Sequence, residues 1–113
     1  MADQIHKVAV EKGFYEGEIN IGEKLMLIVS EIGEAMEAHR KGKFADDHRT
    51  VIEDNNFLKS FEEYIKDTFE DEIADTFIRL LDLCAYMKID IEKHIQLKNE
   101  YNILREYKHG KKY

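Results

Sequence analysis

Apolar residues recur at spacings of three and four along most of the chain, and no run alternates in the two-residue rhythm of a half-buried strand. With no Pro and 6 Gly in 113 residues, the pattern predicts an all-α fold: a small helical bundle of four main helices plus a short extra one. The first helix is expected over about 3–12, capped by Asp3, with Ile5, Val8 and Ala9 inward and a stop at Gly13. After a connection over 13–22, the second runs over about 21–41 and ends at Gly42, a common left-handed terminus. Residues 43–56 are polar and weakly periodic, and read as a surface loop. Phe57, Phe61 and Ile65 suggest a short helix over about 56–66 that contributes core contacts. Thr68 then caps a third long helix over 69–87, and Asp90 caps a fourth that reaches about 108, before Gly110.

On the second helix, at about 100° per residue, Ile21, Leu25, Ile28, Val29, Ile32 and Met36 form a broad stripe expected to face the core. Glu31 and Glu34 flank it and share their side with Leu27 and Ala38. One such carboxylate pair is ordinarily a solvated face. The third long helix changes the picture, because Phe69, Ile73, Phe77, Leu80, Leu83, Cys84 and Met87 and an adjoining sector of Ala74, Ile78, Leu81 and Ala85 cover most of its girth. Only a narrow polar stripe is left: Glu72, Asp75, Arg79, Asp82 and Tyr86. A helix so apolar is normally buried, which turns that stripe toward an interior cleft. Buried carboxylates require a cation, either Arg79 or a metal ion.

Face-to-face packing of these two helices would bring together Glu31, Glu34, Glu72 and Asp75. Four oxygen donors without His or Cys suit a hard divalent ion, Mg2+ with Mn2+ as a substitute, over zinc. A di-iron carboxylate bundle would want Glu-x-x-His on two helices, and the chain has no such motif. On the last helix Lys98, Asn102 and Arg105 fall within one arc, with His94 a turn earlier. Such a row can hold phosphate through a planar fork, a point charge and an amide, or simply balance an acidic body.

Charge sharpens this division. The net charge is −7, which argues against a nucleic-acid polymer as partner. Residues 1–93 hold 12 basic against 22 acidic side chains, whereas 94–113 hold 5 against 2, so an acidic body carries a basic tail. The length suits a single domain over 1–113. No stretch is long and apolar enough for a membrane span, and 1–12 lacks the basic flank and apolar run of a secretory signal, so a soluble cytoplasmic protein is expected. Cys84 is alone, which excludes an intramolecular disulfide and a zinc finger and leaves a buried reduced thiol as the expectation. Apolar surface on more than one side of two helices exceeds what so short a chain can cover, so a second copy is expected to complete the bundle.

Glu31-x-x-Glu34 within Ser30-Glu31-Ile32-Gly33-Glu34-Ala35, Glu72-x-x-Asp75, and the later Lys98, Asn102 and Arg105 resemble, in order and helical placement, the MazG-like all-α nucleoside triphosphate pyrophosphohydrolases. Glu11-Lys12-Gly13-Phe14 and the 107–113 end are also similar to small single-domain members, leaving an apparent insertion at about 44–66. The resemblance implies hydrolysis of a nucleoside triphosphate to monophosphate and pyrophosphate in a homodimer or homotetramer. It implies that Glu31, Glu34, Glu72 and Asp75 hold magnesium and serve catalysis, and that Lys98, Asn102 and Arg105 bind the phosphates. Many members carry a second Glu where this chain has Ser30, so which carboxylate acts as base is left open. Phe14 and Tyr15 are candidates for stacking on the nucleobase, with packing the simpler role for an aromatic pair beside a helix end. His39, His48 and His109, in polar surroundings, are expected at the surface. A specialist for dUTP or a phosphoribosyl nucleotide, and a non-catalytic helical interaction module, are the alternative functions.

Overall fold

Three of the helix starts follow from side chains that satisfy otherwise orphaned amides. Asn20 accepts from the Glu23 amide, Thr68 from that of Asp71 and Asp90 from that of Lys93. The computed structural model describes residues 1–46 and 56–105. Within them lie α1 (Ala2–Glu11), α2 (Ile21–Arg40), α3 (Phe57–Tyr64), α4 (Phe69–Tyr86) and α5 (Ile91–Leu104), and no strand. The expected all-α bundle is what forms, and no helix among the described residues is long and apolar enough to cross a membrane.

Several boundaries differ from expectation. Met1, not Asp3, occupies the N-cap of α1, and Asp3 sits in the first turn, where its charge suits the helix dipole. The last helix ends at Leu104, because Arg105 turns to extended backbone with ψ 157°. Its expected continuation to 108 lies outside the described residues, as do His48, His109, the 107–113 end and the 47–55 part of the insertion at 44–66.

Helix α4 is the axis of the molecule, with α2 along one side and α1 along another. The interior is small and partly polar: Ala9, Ile28, Ala35, Ala38 and Leu83 are its buried apolar residues, and Ser60, Thr68, Glu72 and Thr76 are buried with them. The stripe on α2 expected to face the core does the reverse. Of its residues only Ile28 is buried, while Leu25, Val29, Ile32 and Met36 are about half exposed, at 47, 53, 51 and 53%. Inward-facing instead is the flank with Ala35, Ala38 and the half-buried Glu31. Small side chains there let α2 approach α4 closely, and a row of long ones would hold it off. Helix α4 repeats the inversion, with Phe77, Ile78 and Leu80 exposed while Glu72 and Thr76 are buried. Phe57 is likewise exposed, not a core residue, and touches Phe61 at 5.9 Å between ring centroids. Cys84 is a free thiol only half buried. Helix α5 buries none of its residues and packs extensively on no other helix.

The 43–46 segment is stitched to α4 by Phe69 N–H to Lys43 O at 2.8 Å and Ala45 N–H to Glu70 Oε1 at 3.0 Å. His39, exposed as expected, packs edge-on against Phe44 and Phe69 beside it.

Candidate metal centre

Where α2 crosses α4, Glu31 faces Glu72 and Asp75, each offering a carboxylate oxygen within 4.8 Å of the others. Glu34, one turn along α2 from Glu31, approaches Glu72 from the other side and lines a separate small cleft with Lys41, Lys43 and Asp67. Three of the four expected acids therefore converge as one group, and the fourth adjoins it.

Glu72 is the hub. It is 6% exposed, and its Oε2 is buried with no hydrogen-bond partner. The Glu34 and Glu31 carboxyls lie close enough to share a proton with it, yet ionised carboxylates have none to give, so only a retained proton or a cation satisfies the group. Burial first, then these two neighbours, pushes the Glu72 pKa up to about 8. Asp75 moves in the same direction, through burial and the charges of Asp71 and Glu31, with Arg79 opposing. Arg79 donates from Nε to Glu31 Oε1 at 2.9 Å. Arg79 thus pairs with Glu31 and also acts on Asp75, while the buried Glu72 oxygen remains without a hydrogen-bond partner. An orphaned buried acceptor amid an all-oxygen donor set fits a hard divalent ion.

Asp67 and Asp71 form a second acidic group with Glu72, but their contacts explain them. Asp71 Oδ2 accepts from the Asp67 amide at 2.9 Å while the Asp71 amide donates to Thr68 Oγ1 at 3.3 Å, a variant of the capping box at the start of α4.

Asp82, in the polar stripe of α4, has partners that periodicity does not reveal. Its Oδ1 lies 2.8 Å from His6 Nδ1, and its Oδ2 accepts from the Tyr15 hydroxyl at 2.6 Å. Tyr15 also stacks on Tyr86, with centroids 4.8 Å apart, and Lys24 Nζ stands 4.3 Å from its ring centre. Burial and the Asp82 contact raise the Tyr15 pKa. Tyr15 thus packs on Asp82, Tyr86 and Lys24, and with Phe14 it also lines a cleft beside α2. Phe14 is 65% exposed.

Comparison with protein-family models, curated proteins and solved structures finds no match to this chain. Function therefore rests on geometry.

Beside the acids, α1 and α4 enclose a cleft of about 580 Å3. Glu31, Asp75, Arg79 and Asp82 form its polar side, while Ile5, Val8, Phe14 and Ile78 are among its apolar walls. The phosphate row is elsewhere. Lys98 and Asn102 are exposed on α5, Arg105 lies beyond its last turn, and within one chain this helix makes no extensive contact with those carrying the acids. Lys98 and Arg105 instead flank the Tyr101 ring, at 5.0 and 5.1 Å.

Proposed function

We propose that the protein is a magnesium-dependent nucleoside triphosphate pyrophosphohydrolase that works as a homo-oligomer. The observation that carries this reading is the convergence of Glu31, Glu72 and Asp75 from two helices around a buried carboxylate oxygen without a partner. In this account Glu31, Glu72 and Asp75 hold the ion, with Mn2+ able to replace Mg2+, and Glu34 completes the set from the neighbouring turn. A bound ion would neutralise phosphate oxygens and lower the pKa of the attacking water. Water adds to the α-phosphorus, the α–β anhydride bond breaks, and pyrophosphate leaves from the monophosphate. An oxygen of one of these carboxylates that is not bonded to the ion accepts the proton of that water.

The triphosphate needs cations as well as a metal. Lys98 and Arg105 supply them, with Asn102 orienting the phosphate chain, in this proposal only if a second chain brings its α5 to the acids, so the site is shared between copies. The outward apolar faces of α2 and α4 support such an assembly, a homodimer or homotetramer.

Two measurements on the pure protein test the reading. Millimolar Mg2+ or Mn2+ is expected to raise the melting temperature, since an ion bound only to the native state stabilises it. A panel of nucleoside triphosphates is expected to release monophosphate and pyrophosphate, and both Glu34→Gln and Asp75→Asn to abolish turnover with helicity intact. Full activity in both variants removes the metal assignment. A single accepted nucleotide identifies a dUTP or phosphoribosyl-nucleotide specialist. No thermal shift and no turnover leave a helical interaction module.

A further inference from the structure

We propose that Arg79 is the resident counter-ion of the acidic cluster: it holds Glu31 while no metal is bound, a divalent ion displaces it on entering, and it thereby sets the affinity of the site for that ion. This inference rests on the reading of Glu31, Glu72 and Asp75 as a metal centre, and names the side chain that competes with the metal there.

Arg79 stands one turn after Asp75 on α4 and reaches across to α2, where its Nε donates to Glu31 Oε1 at 2.9 Å. The Glu31 side chain is 12% exposed and that of Arg79 42%, so the guanidinium meets an enclosed carboxylate from its open side. Its charge also favours the ionised form of Asp75, against the pull of the neighbouring acids. Two of the three converging carboxylates therefore already share one positive charge, and they are groups that an entering ion needs. A carboxylate bonded to a divalent ion has lost much of the field that attracts a guanidinium, and the ion itself repels Arg79 across a few ångströms. Metal entry thus weakens the Arg79–Glu31 pair, and by linkage the pair weakens metal binding to the same extent.

A released Arg79 has a second acid within reach. Asp82 follows it by three residues, a spacing at which side chains on a helix are neighbours, and the two residues line the same pair of clefts. His6 and Tyr15 each take up one contact on Asp82, whereas a carboxylate has about four acceptor positions. Arg79 is exposed, so the move from Glu31 toward Asp82 passes through open cleft and not through packed interior. The exchange leaves the helices where they are and changes only which carboxylate the guanidinium holds.

The test titrates the 15N-labelled full chain with MgCl2 at constant ionic strength and follows the side-chain Nε–Hε resonance of Arg79, assigned in the wild type. That resonance is expected to move, with the same midpoint as the Mg2+-dependent rise in melting temperature. Arg79→Gln keeps a good helix former at an exposed position and removes the charge. Its metal-free melting temperature is expected below that of the wild type. Its Mg2+ dissociation constant by calorimetry should be about 10-fold smaller, the order for a single and a double charge several ångströms apart in screened solvent. Arg79→Lys retains the charge and is expected to bind Mg2+ more like the wild type than like Arg79→Gln. Equal or weaker Mg2+ binding in Arg79→Gln overturns the exchange. So does an Arg79 resonance unmoved at saturating Mg2+, a readout that depends on neither variant. Absence of Mg2+ binding to both wild type and Arg79→Gln overturns the metal centre itself, and this inference with it.

Discussion

Glu72 holds its proton more tightly in the folded chain than an exposed glutamate does, and stability must then depend on pH. Its pKa is about 8 when folded, against an ordinary 4.5. Below that ordinary value both folded and unfolded forms carry the proton. As pH rises from about 4.5 toward 8, the unfolded chain releases it and the folded chain does not, so stability falls through this window and levels off above it. The upward shift of Asp75 adds a loss of the same sign. Thermal denaturation of metal-free protein is expected to show a melting temperature that declines from pH 5 to pH 8. Glu72→Gln should flatten the decline, since the amide cannot ionise, and Mg2+ should restore stability most at pH 8, where fewer protons compete with the ion. A melting temperature that climbs over the same range would contradict the placement of Glu72. The spacing Glu72-x-x-Asp75 was legible in the sequence as a pair on one face. That Glu72 is the buried member depends on how closely Ala35 and Ala38 let α2 approach, which no count along α4 contains.

Local chemistry explains why the helices were largely readable. Thr68 and Asp90 are short oxygen acceptors placed just before apolar runs, and each bonds the amide three residues on. Asp3 had the same look but lies inside the first turn of α1. Contacts between elements were far less legible, and the attachment of α1 to α4 is the clearest case. Asp82 ties both His6 and Tyr15, pairs separated by 76 and 67 residues, and helical periodicity carries no information at that range. Asp82→Ala would leave the partly buried Tyr15 hydroxyl without its acceptor, a loss of about 1–3 kcal/mol. Hydrogen exchange should accelerate across α1 and the 13–20 connection while α5 stays as in the wild type. Equal protection of α1 in both proteins would mean that its apolar contacts alone hold it.

A single chain is open for its length. Its radius of gyration is 17.6 Å, against roughly 13 Å for a compact domain of this size. Leu25, Val29, Ile32 and Met36 on α2 and Phe77 and Leu80 on α4 face outward, and covering each half-exposed aliphatic side chain would yield about 1 kcal/mol. Ile32→Glu and Val29→Glu are expected to give monomers by sedimentation from a wild-type dimer or tetramer, without loss of helicity, because neither side chain is in the interior. A wild-type protein sedimenting at 13.4 kDa would end the shared-site proposal. The sequence by itself determined the helical class, most boundaries and the two carboxylate pairs, because these follow from hydrogen bonding and periodicity within a few turns. Only the tertiary structure decided which face of α2 turns inward. Hydrophobicity marks a face for burial without saying against what: small residues beside Glu31 pack within the chain, and the larger apolar stripe is left outside. The same arrangement decided that Asp82 joins α1 to α4 and that the Lys98 row stands apart from the acids.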